Sequence, residues 1–387
     1  LWSDDSVFLD NVQTPAEAGV TGAYKLGNAT SVSKFYSADD KMMGIDYSDT
    51  SIDPLIPEGE ASDTYPVALF DVNVKNTVRF SVELYNRLTK DLLMNEPTSL
   101  TTGFSSILSN IGEMQNRGIE FELMSNNISN KNFSWTTSFN ISHNKNEILV
   151  LDGIQTSIIS GTQIRMVGKP YHTFYLREFA GVDPADGMTW FYTNSVDANG
   201  NYVKEKTKDL NTANAIPLQS PYPKVLGGLV NNFKVYFIDL GFTFTYSLGG
   251  YSYDSAAGKL DKEGTTNGLN ANIPIYYRDR WRKPGDESRY GIYIANNKWD
   301  LADGYSNSRR IHSTDHLRLK NISFGITVPS KYTDYAKIER ARAFVSASNI
   351  WTMASWNMYD PEVGNNGVMG WQTPPMKTIT FGLDLTF

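Results

Sequence analysis

The sequence predicts an all-β fold, a transmembrane antiparallel β-barrel. Three observations predict it: about nine segments alternate apolar and polar residues, their connections alternate between short and long, and the polar faces carry charge. The alternation is clearest at 376–387 (MKTITFGLDLTF), which ends the sequence. Such alternation gives an extended strand one apolar and one polar surface. About ten residues suffice for a tilted strand to cross a bilayer.

The composition excludes several other classes. The chain has 387 residues, is 40% hydrophobic and contains no Cys. No run approaches the ~18 apolar residues of a membrane-spanning helix, whereas strands that alternate would escape that test. A net charge of −7 without a basic tract argues against nucleic acid as a partner. The absence of Cys excludes disulfide scaffolds and thiolate metal sites.

The strands are predicted in order along the chain. Residues 1–64 are rich in Asp, Ser, Thr and Gly, and we interpret them as a polar external loop region that could include short strands. Residues 65–387 are predicted to be the carboxy-terminal part of an outer-membrane β-barrel. The predicted strands are 65–74, 78–84, 119–123, 133–142, 223–233, 239–248, 315–328, 340–353 and 376–387.

The connections between these strands indicate a barrel with two different ends. Long external loops are predicted at 93–114, 145–222, 249–314 and 354–375, while the connections after 74, 126, 233 and 328 are short. Outer-membrane barrels have short periplasmic turns and long external loops. Nine strands is an odd number, whereas closed bacterial barrels have an even number. We therefore expect further strands upstream, with any plug domain absent from this chain.

Strand alternation assigns side chains to two surfaces. A soluble β-sandwich remains the alternative, because it also alternates, although its inner faces pack together as a dry core. The residues predicted to face an aqueous lumen are Arg79, Glu83, Glu120 and Glu122. The residues predicted to face lipid are Phe80, Phe121, Trp135, Phe242, Phe244, Phe381 and Leu383.

No catalytic, metal or cofactor site is predicted. Ser31 and Lys34 fit a Ser-x-x-Lys pattern, but no Lys-Thr-Gly follows it. His312 and His316 would face a metal together only on a helix, and they precede a strand. The segments 183–187 (DPADG) and 197–201 (DANGN) are better explained as turns than as calcium ligands. We expect that the protein is not an enzyme.

Aromatic residues in the predicted external loops are the candidate contact residues. Aromatic rings can stack on sugars or fill pockets of a partner protein. The alternative is packing within the loops or an interfacial belt at the membrane edge. The candidates for ligand or lid contact are Trp190, Tyr192, Trp356, Tyr359 and Trp371.

Several segments, in order, resemble the carboxy-terminal half of SusC/RagA-like TonB-dependent outer-membrane transporters of Bacteroidetes. They include ELYNRLTKDLL (83–93), NIGEMQNRGIEFEL (110–123), VGKPYHTFY (167–175), PYPKVLGGLVNNF (221–233), DHLRLKNISFGITVP (315–329) and SASNIWTMASWNMYDPEV (346–363). The resemblance covers residues 80–387. It implies a 22-stranded barrel in the bacterial outer membrane, a plug, coupling to TonB and a SusD-like lipoprotein lid.

The expected function is import of a sizeable nutrient, an oligosaccharide in the first instance. Import of oligopeptides by the same scaffold, as the RagA-like resemblance allows, is the close alternative, because fold does not fix cargo. A non-transporting, surface-exposed β-rich binding protein is the alternative of another class. The expected partners are the lid lipoprotein, TonB, the plug with upstream strands, and outer-membrane lipid.

Overall fold

The computed structural model describes residues 31–35, 41–48, 62–74, 77–151, 156–257, 278–293, 306–333, 335, 337–362, 364, 366–370 and 373–387. The regular structure of this part of the chain is mainly β-strand, with short helical turns at Leu100–Thr102, Ser308–Arg310 and Ser330–Thr333. None of its helices is long and apolar enough to cross a membrane.

The strands follow one another along the chain with the following bounds. The first half comprises β1 (Ser31–Phe35), β2 (Lys41–Ser48), β3 (Ser62–Val74), β4 (Val78–Thr89), β5 (Leu93–Pro97), β6 (Ser106–Asn110), β7 (Glu113–Ser129), β8 (Phe133–Val150), β9 (Ser157–Ser160), β10 (Gln163–Met166), β11 (Thr173–Arg177) and β12 (Phe179–Val182). The second half comprises β13 (Thr189–Tyr192), β14 (Ser195–Val196), β15 (Tyr202–Val203), β16 (Lys206–Thr207), β17 (Ala215–Pro217), β18 (Val225–Val235), β19 (Ile238–Leu248), β20 (Tyr251–Asp254), β21 (Ile311–Ser313), β22 (His316–Thr327), β23 (Arg340–Ala354), β24 (Val368–Met369) and β25 (Thr378–Thr386).

Eleven strands form one antiparallel sheet, called the wall below. Their order is β1-β2-β3-β4-β7-β8-β18-β19-β22-β23-β25, so each wall strand pairs with the next one along the chain. The nine predicted strands are all present in it. Two more, β1 and β2, extend the wall into the segment 1–64, which we expected to be a polar external loop region that could include short strands. Their sequences lack sustained alternation, which is why the positions of these strands were not predicted. In the described residues the wall is open between β1 and β25.

Long and short connections lie at opposite ends of the wall, because the strands alternate in direction. The long ones are 90–112, 151–224, 249–315 and 355–377, and the short ones include 130–132 and 236–237. Residues 145–150, predicted as loop, instead continue strand β8. With 17 and 18 residues, β7 and β8 span about 60 Å at ~3.3 Å per residue, so they extend well beyond a hydrocarbon core of about 30 Å.

One face of the wall is apolar and uncovered. Directly paired residues share a face of a sheet, and one such row is Trp135, Phe233, Leu240, Phe324, Val345 and Phe381. Phe381 is 80% exposed and Leu383 is 65% exposed. A β-sandwich would bury this face against a second sheet. The structure therefore contradicts the sandwich alternative.

Buried apolar side chains are concentrated in the connections instead. One cluster joins Met94 and Ile111 of the first long connection to Ile158 of the second. Another joins Phe174 of the second connection to Tyr253 of the third. The connections thus form a packed layer with its own core at one end of the wall.

Gly227 allows β18 and β8 to approach closely. A Cβ atom at Gly227 would collide with the carbonyl oxygen of Asn140 and lie 2.5 Å from the hydroxyl of Tyr246, which donates to that oxygen. At Gly228 the nearest atom would be 3.2 Å away. We expect Gly227→Ala to destabilise the folded barrel by about 1–3 kcal/mol and Gly228→Ala by well under half as much. The midpoint of the heat-induced gel shift measures both, and equal effects would contradict this account.

Candidate functional site

A cleft of about 610 Å³ lies on the polar face of the wall, under the last long connection. Strand pairing builds its floor, because Asn140, Gly228 and Thr245 lie side by side on β8, β18 and β19. Ser138 and Thr243 lie in the neighbouring row, and both line the cleft. The floor therefore offers hydroxyl and amide groups, which exchange hydrogen bonds with polar ligands.

A second cavity of about 560 Å³ adjoins the cleft. Arg318 of β22 lines it, together with Tyr359, Asp360 and Glu362 of the last connection. Glu362 lines both spaces, so its carboxylate stands at their boundary. We refer to the two spaces together as the lumen site.

Four charged side chains attach the last connection to the wall. The Arg318 guanidinium donates to Asp360 Oδ2 at 2.5 Å and to Glu362 Oε2 at 3.2 Å. Lys320 donates to the same Glu362 carboxylate at 2.8 and 3.0 Å. The Arg318 side chain is only 1% exposed, whereas that of Lys320 is 42% exposed. Two cations and two carboxylates leave this group, called the ionic clamp below, without net charge.

Backbone pairing also attaches the last connection. Its strand β24 pairs in parallel with β20, and Ser255 Oγ donates to the carbonyl of Met369 at 2.5 Å. Gln163 of the second connection donates to the carbonyl of Asn366 at 2.6 Å. Gly367, with φ +66°, packs so closely on Pro221 that a Cβ atom would collide with it. The last connection, which covers the lumen site, is thus attached to the wall by the ionic clamp and to the second and third connections by these contacts.

An aromatic cluster borders the cleft. His172 contacts the edge of Tyr171 with a centroid separation of 4.9 Å and lies 5.9 Å from the ring of Tyr222, which lines the cleft. Burial raises the pKa of Tyr222 to about 12 and lowers that of His172. Both rings are therefore uncharged at neutral pH.

Trp190 and Tyr192 lie on β13, and neither lines the lumen site. The ammonium group of Lys206 is 4.5 Å from the centre of the Trp190 ring, and that of Lys204 is 5.3 Å from the Tyr192 ring. Cation–π contacts of this kind are worth about 0.5–1 kcal/mol at exposed sites. Both rings already have partners within the second connection.

Of the other three aromatic candidates, Tyr359 lines the second cavity. Trp356 stacks on His312, with centroids 3.7 Å apart and planes within 2°. Trp371 lies outside the described residues. The structure therefore brings one of the four described candidates into the lumen site.

The stacked His312 predicts a pH dependence. Burial, then Arg289 and Arg310, lower its pKa to about 4. An unfolded histidine takes up a proton near pH 6.5, so between pH 6.5 and 4 the unfolded state binds the extra proton. Stability of the third connection should therefore be constant above pH 6.5 and fall by roughly 3 kcal/mol towards pH 4. Hydrogen exchange at 306–316 measures it, and a His312→Gln variant with the same slope would contradict the assignment.

The predicted turns are confirmed. Asp197 accepts hydrogen bonds from the backbone N–H groups of Asn199 and Asn201, which closes the β14–β15 hairpin. The segment 183–187 joins β12 to β13, and hydrogen bonds from Lys208 hold the pKa of Asp183 and Asp186 below the usual range. Among the described residues, no group of three or more His, Asp or Glu side chains is arranged to hold a metal ion.

The residues predicted to face lumen and lipid lie on opposite faces of the wall. Glu83 pairs directly with Glu120, and Ser142 donates to Glu120 at 3.1 Å. Glu122 pairs with Asn140 of the cleft floor. Phe80 contacts Phe121 on the other face, with ring centroids 6.3 Å apart. Which face meets lipid and which meets water stays a prediction.

Sequence reasoning did not single out the ionic clamp. Arg318 lies within DHLRLKN, and Asp360 and Glu362 lie within MYDPEV, two of the segments that carry the family resemblance. The sign of the clamp in the sequence was Arg318 itself, a charged residue in a strand that otherwise alternates. Its partners lie 42 and 44 positions further along the chain, a separation that strand periodicity cannot resolve.

Known proteins are similar to this chain in sequence and in fold. A family described as "TonB dependent receptor-like, beta-barrel" matches residues 62–224. TonB-dependent receptor P3 of Formosa agariphila is 27% identical over 99% of this chain and 40% of its own length. TonB-dependent receptor SusC of Bacteroides thetaiotaomicron is 24% identical over 95% of this chain and 37% of its own length.

Solved structures share the fold. The structure described as the RagAB peptide transporter superposes with a TM-score of 0.71 at 24% identity, over 94% of this chain and 39% of that chain. The chain thus spans about 40% of the length of the relatives that it matches.

Residues 62–224 thus match a TonB-dependent receptor β-barrel family, and the relatives that are similar over most of the chain are TonB-dependent receptors. The segments from residue 80 onwards resemble those of SusC/RagA-like receptors, SusC is similar in sequence, and the solved RagAB structures share the fold. Because these receptors are not enzymes, the family agrees with the expectation that no reaction is catalysed.

Proposed function

We propose that this chain forms part of an outer-membrane importer of the SusC type, which moves oligosaccharides through its lumen. One observation carries the proposal: the wall has an exposed apolar face, while its opposite face is polar and forms the floor of the cleft under the last long connection. An apolar face suits lipid and a polar face suits an aqueous passage. The lumen site then lies on the route of the cargo.

The proposal includes parts that these residues do not supply. The relatives are about two and a half times as long as the matched region, which leaves room for further strands, a plug domain and a segment that couples to TonB. The four long connections would then be the external loops that contact a SusD-like lipoprotein lid. Trp190, Tyr192 and Trp371 remain candidates for that contact.

Oligosaccharide is the first choice of cargo because of the cleft floor. Ser138, Asn140, Thr243, Thr245 and Ser247 offer hydroxyl and amide groups that suit a polyhydroxylated chain. Oligopeptide is the alternative, since the structural neighbours are described as a peptide transporter and peptide importer.

Uptake by cells that produce the intact receptor tests the proposal. We expect fluorescent oligosaccharides to accumulate only when TonB is functional, and matched peptides not to accumulate. If peptides accumulate and oligosaccharides do not, the cargo is oligopeptide and the oligosaccharide proposal is wrong. Surface binding of a ligand without TonB-dependent accumulation would favour a non-transporting binding protein and contradict import.

A further inference from the structure

We propose that the lumen site selects uncharged over acidic oligosaccharides, and that the ionic clamp sets this preference. The inference rests on the proposed function, because it specifies the cargo class of the same site. It follows from the charges along one row of the wall and from the way in which Arg318 is neutralised.

The polar face presents acidic groups along one side of the cleft. Glu122, Asn140, Gly228, Thr245 and Arg318 pair successively across five strands and so form a single row. Neighbouring strands are about 4.8 Å apart, so the row is about 19 Å long. Glu120 lies on the same face as Glu122, and both are exposed. A ligand along this row meets carboxylates at its first end.

A cation stands at the other end of the row but is already neutralised. Arg318 is fully buried, and its two terminal nitrogens are engaged by Asp360 and Glu362. Of the described residues that line the cleft, Glu362 is the only one with a carboxylate, and none is Lys or Arg. An acidic ligand in the cleft would therefore meet the like charge of Glu362 with no cation among these described lining residues, which opposes binding.

The floor between the two ends favours uncharged ligands. Asn140 and Thr245 lie in the row, and Ser138, Thr243 and Ser247 adjoin it. These groups can replace the hydrogen bonds that sugar hydroxyls lose when they leave water. None of them compensates the desolvation of a carboxylate or sulfate as a cation would.

Calorimetry on the intact receptor in detergent tests the inference. The probes are maltohexaose, cellohexaose and xylohexaose, compared with hexagalacturonate and an alginate hexamer. We expect at least one neutral hexamer to bind about tenfold more tightly than either acidic one. A single contact between a ligand carboxylate and a carboxylate of the site, with no cation to offset it, would produce a difference of about this size. Equal or tighter binding of an acidic hexamer would overturn the inference.

Two conservative variants test the ionic clamp itself. Glu362→Gln and Asp360→Asn each keep the shape of the side chain and leave Arg318 with one carboxylate fewer. We expect each to reduce the preference for neutral hexamers by about tenfold. Glu339→Gln removes the same charge at an exposed position in the short connection 328–339 and should leave the preference unchanged.

The outcomes separate this inference from the proposed function. An unchanged preference in both clamp variants would overturn the inference while import of saccharides stands. If no hexasaccharide binds but hexapeptides do, the saccharide cargo is wrong and the inference falls with it.

Discussion

Phe244→Arg should prevent stable assembly of the barrel, whereas Thr243→Arg should not. Phe244 lies on the apolar face and pairs with Leu229 and Leu319 on the neighbouring strands. Arginine on the lipid face near the bilayer centre costs about 2–4 kcal/mol. Thr243, its neighbour in sequence, lies on the opposite, polar face in one row with Val230 and Ser138, where a charged side chain can remain in water.

The fraction of receptor that shows the heat-modifiable gel band measures this difference. We expect the band to be strongly reduced for Phe244→Arg and close to that of the parent protein for Thr243→Arg. The two variants differ by one position on one strand, so the face of the wall is the variable tested. Equal losses in both variants, or a greater loss for Thr243→Arg, would contradict the assignment of faces.

Arg318→Met should release the last long connection from the wall. The substitution keeps much of the side-chain volume but leaves Asp360 and Glu362 without their shared buried cation. Removing one partner of a buried ion pair costs about 3–5 kcal/mol, and the partly exposed carboxylates argue for the lower end. Hydrogen exchange in 355–377 should therefore become much faster while exchange in the wall strands stays slow.

Lys320→Met is the matched control for this experiment. Lys320 bonds to the same carboxylate from an exposed position, where an ion pair is worth about 0–1 kcal/mol. Exchange in 355–377 should change little in this variant. Equal acceleration in the two variants would indicate that burial of Arg318 has no special role.

Much of the fold was predictable, because period-two alternation reports directly on strands with two different surfaces. The row from Trp135 to Phe381 crosses six strands, and each of its strands alternates clearly in the sequence. Strands β1 and β2 do not alternate in this way, so short strands were allowed for in 1–64 but their positions were not predicted. The second half of β8 was taken for loop because NKNE at 144–147 is polar on both faces where the strand extends past the predicted membrane zone.

The lumen site was less predictable, because it depends on long-range contacts. Tyr359 could be proposed as an exposed aromatic residue of a loop. That Trp356 instead stacks on His312 depends on how the third and fourth connections pack together. The neutralisation of Arg318 by Asp360 and Glu362 likewise depends on the last connection folding back over the polar face.

Spin-label accessibility along β19 tests the central claim that lipid covers one face of the wall and water the other. The chain contains no Cys, so single Cys substitutions at positions 241–246 of the intact receptor in lipid vesicles can be labelled without background from this region. Labels at Phe242 and Phe244 should be reached by oxygen dissolved in lipid, and labels at Gly241, Thr243 and Thr245 by a water-soluble nickel chelate. Access of the nickel chelate to positions 242 and 244, or no alternation along the strand, would contradict the account.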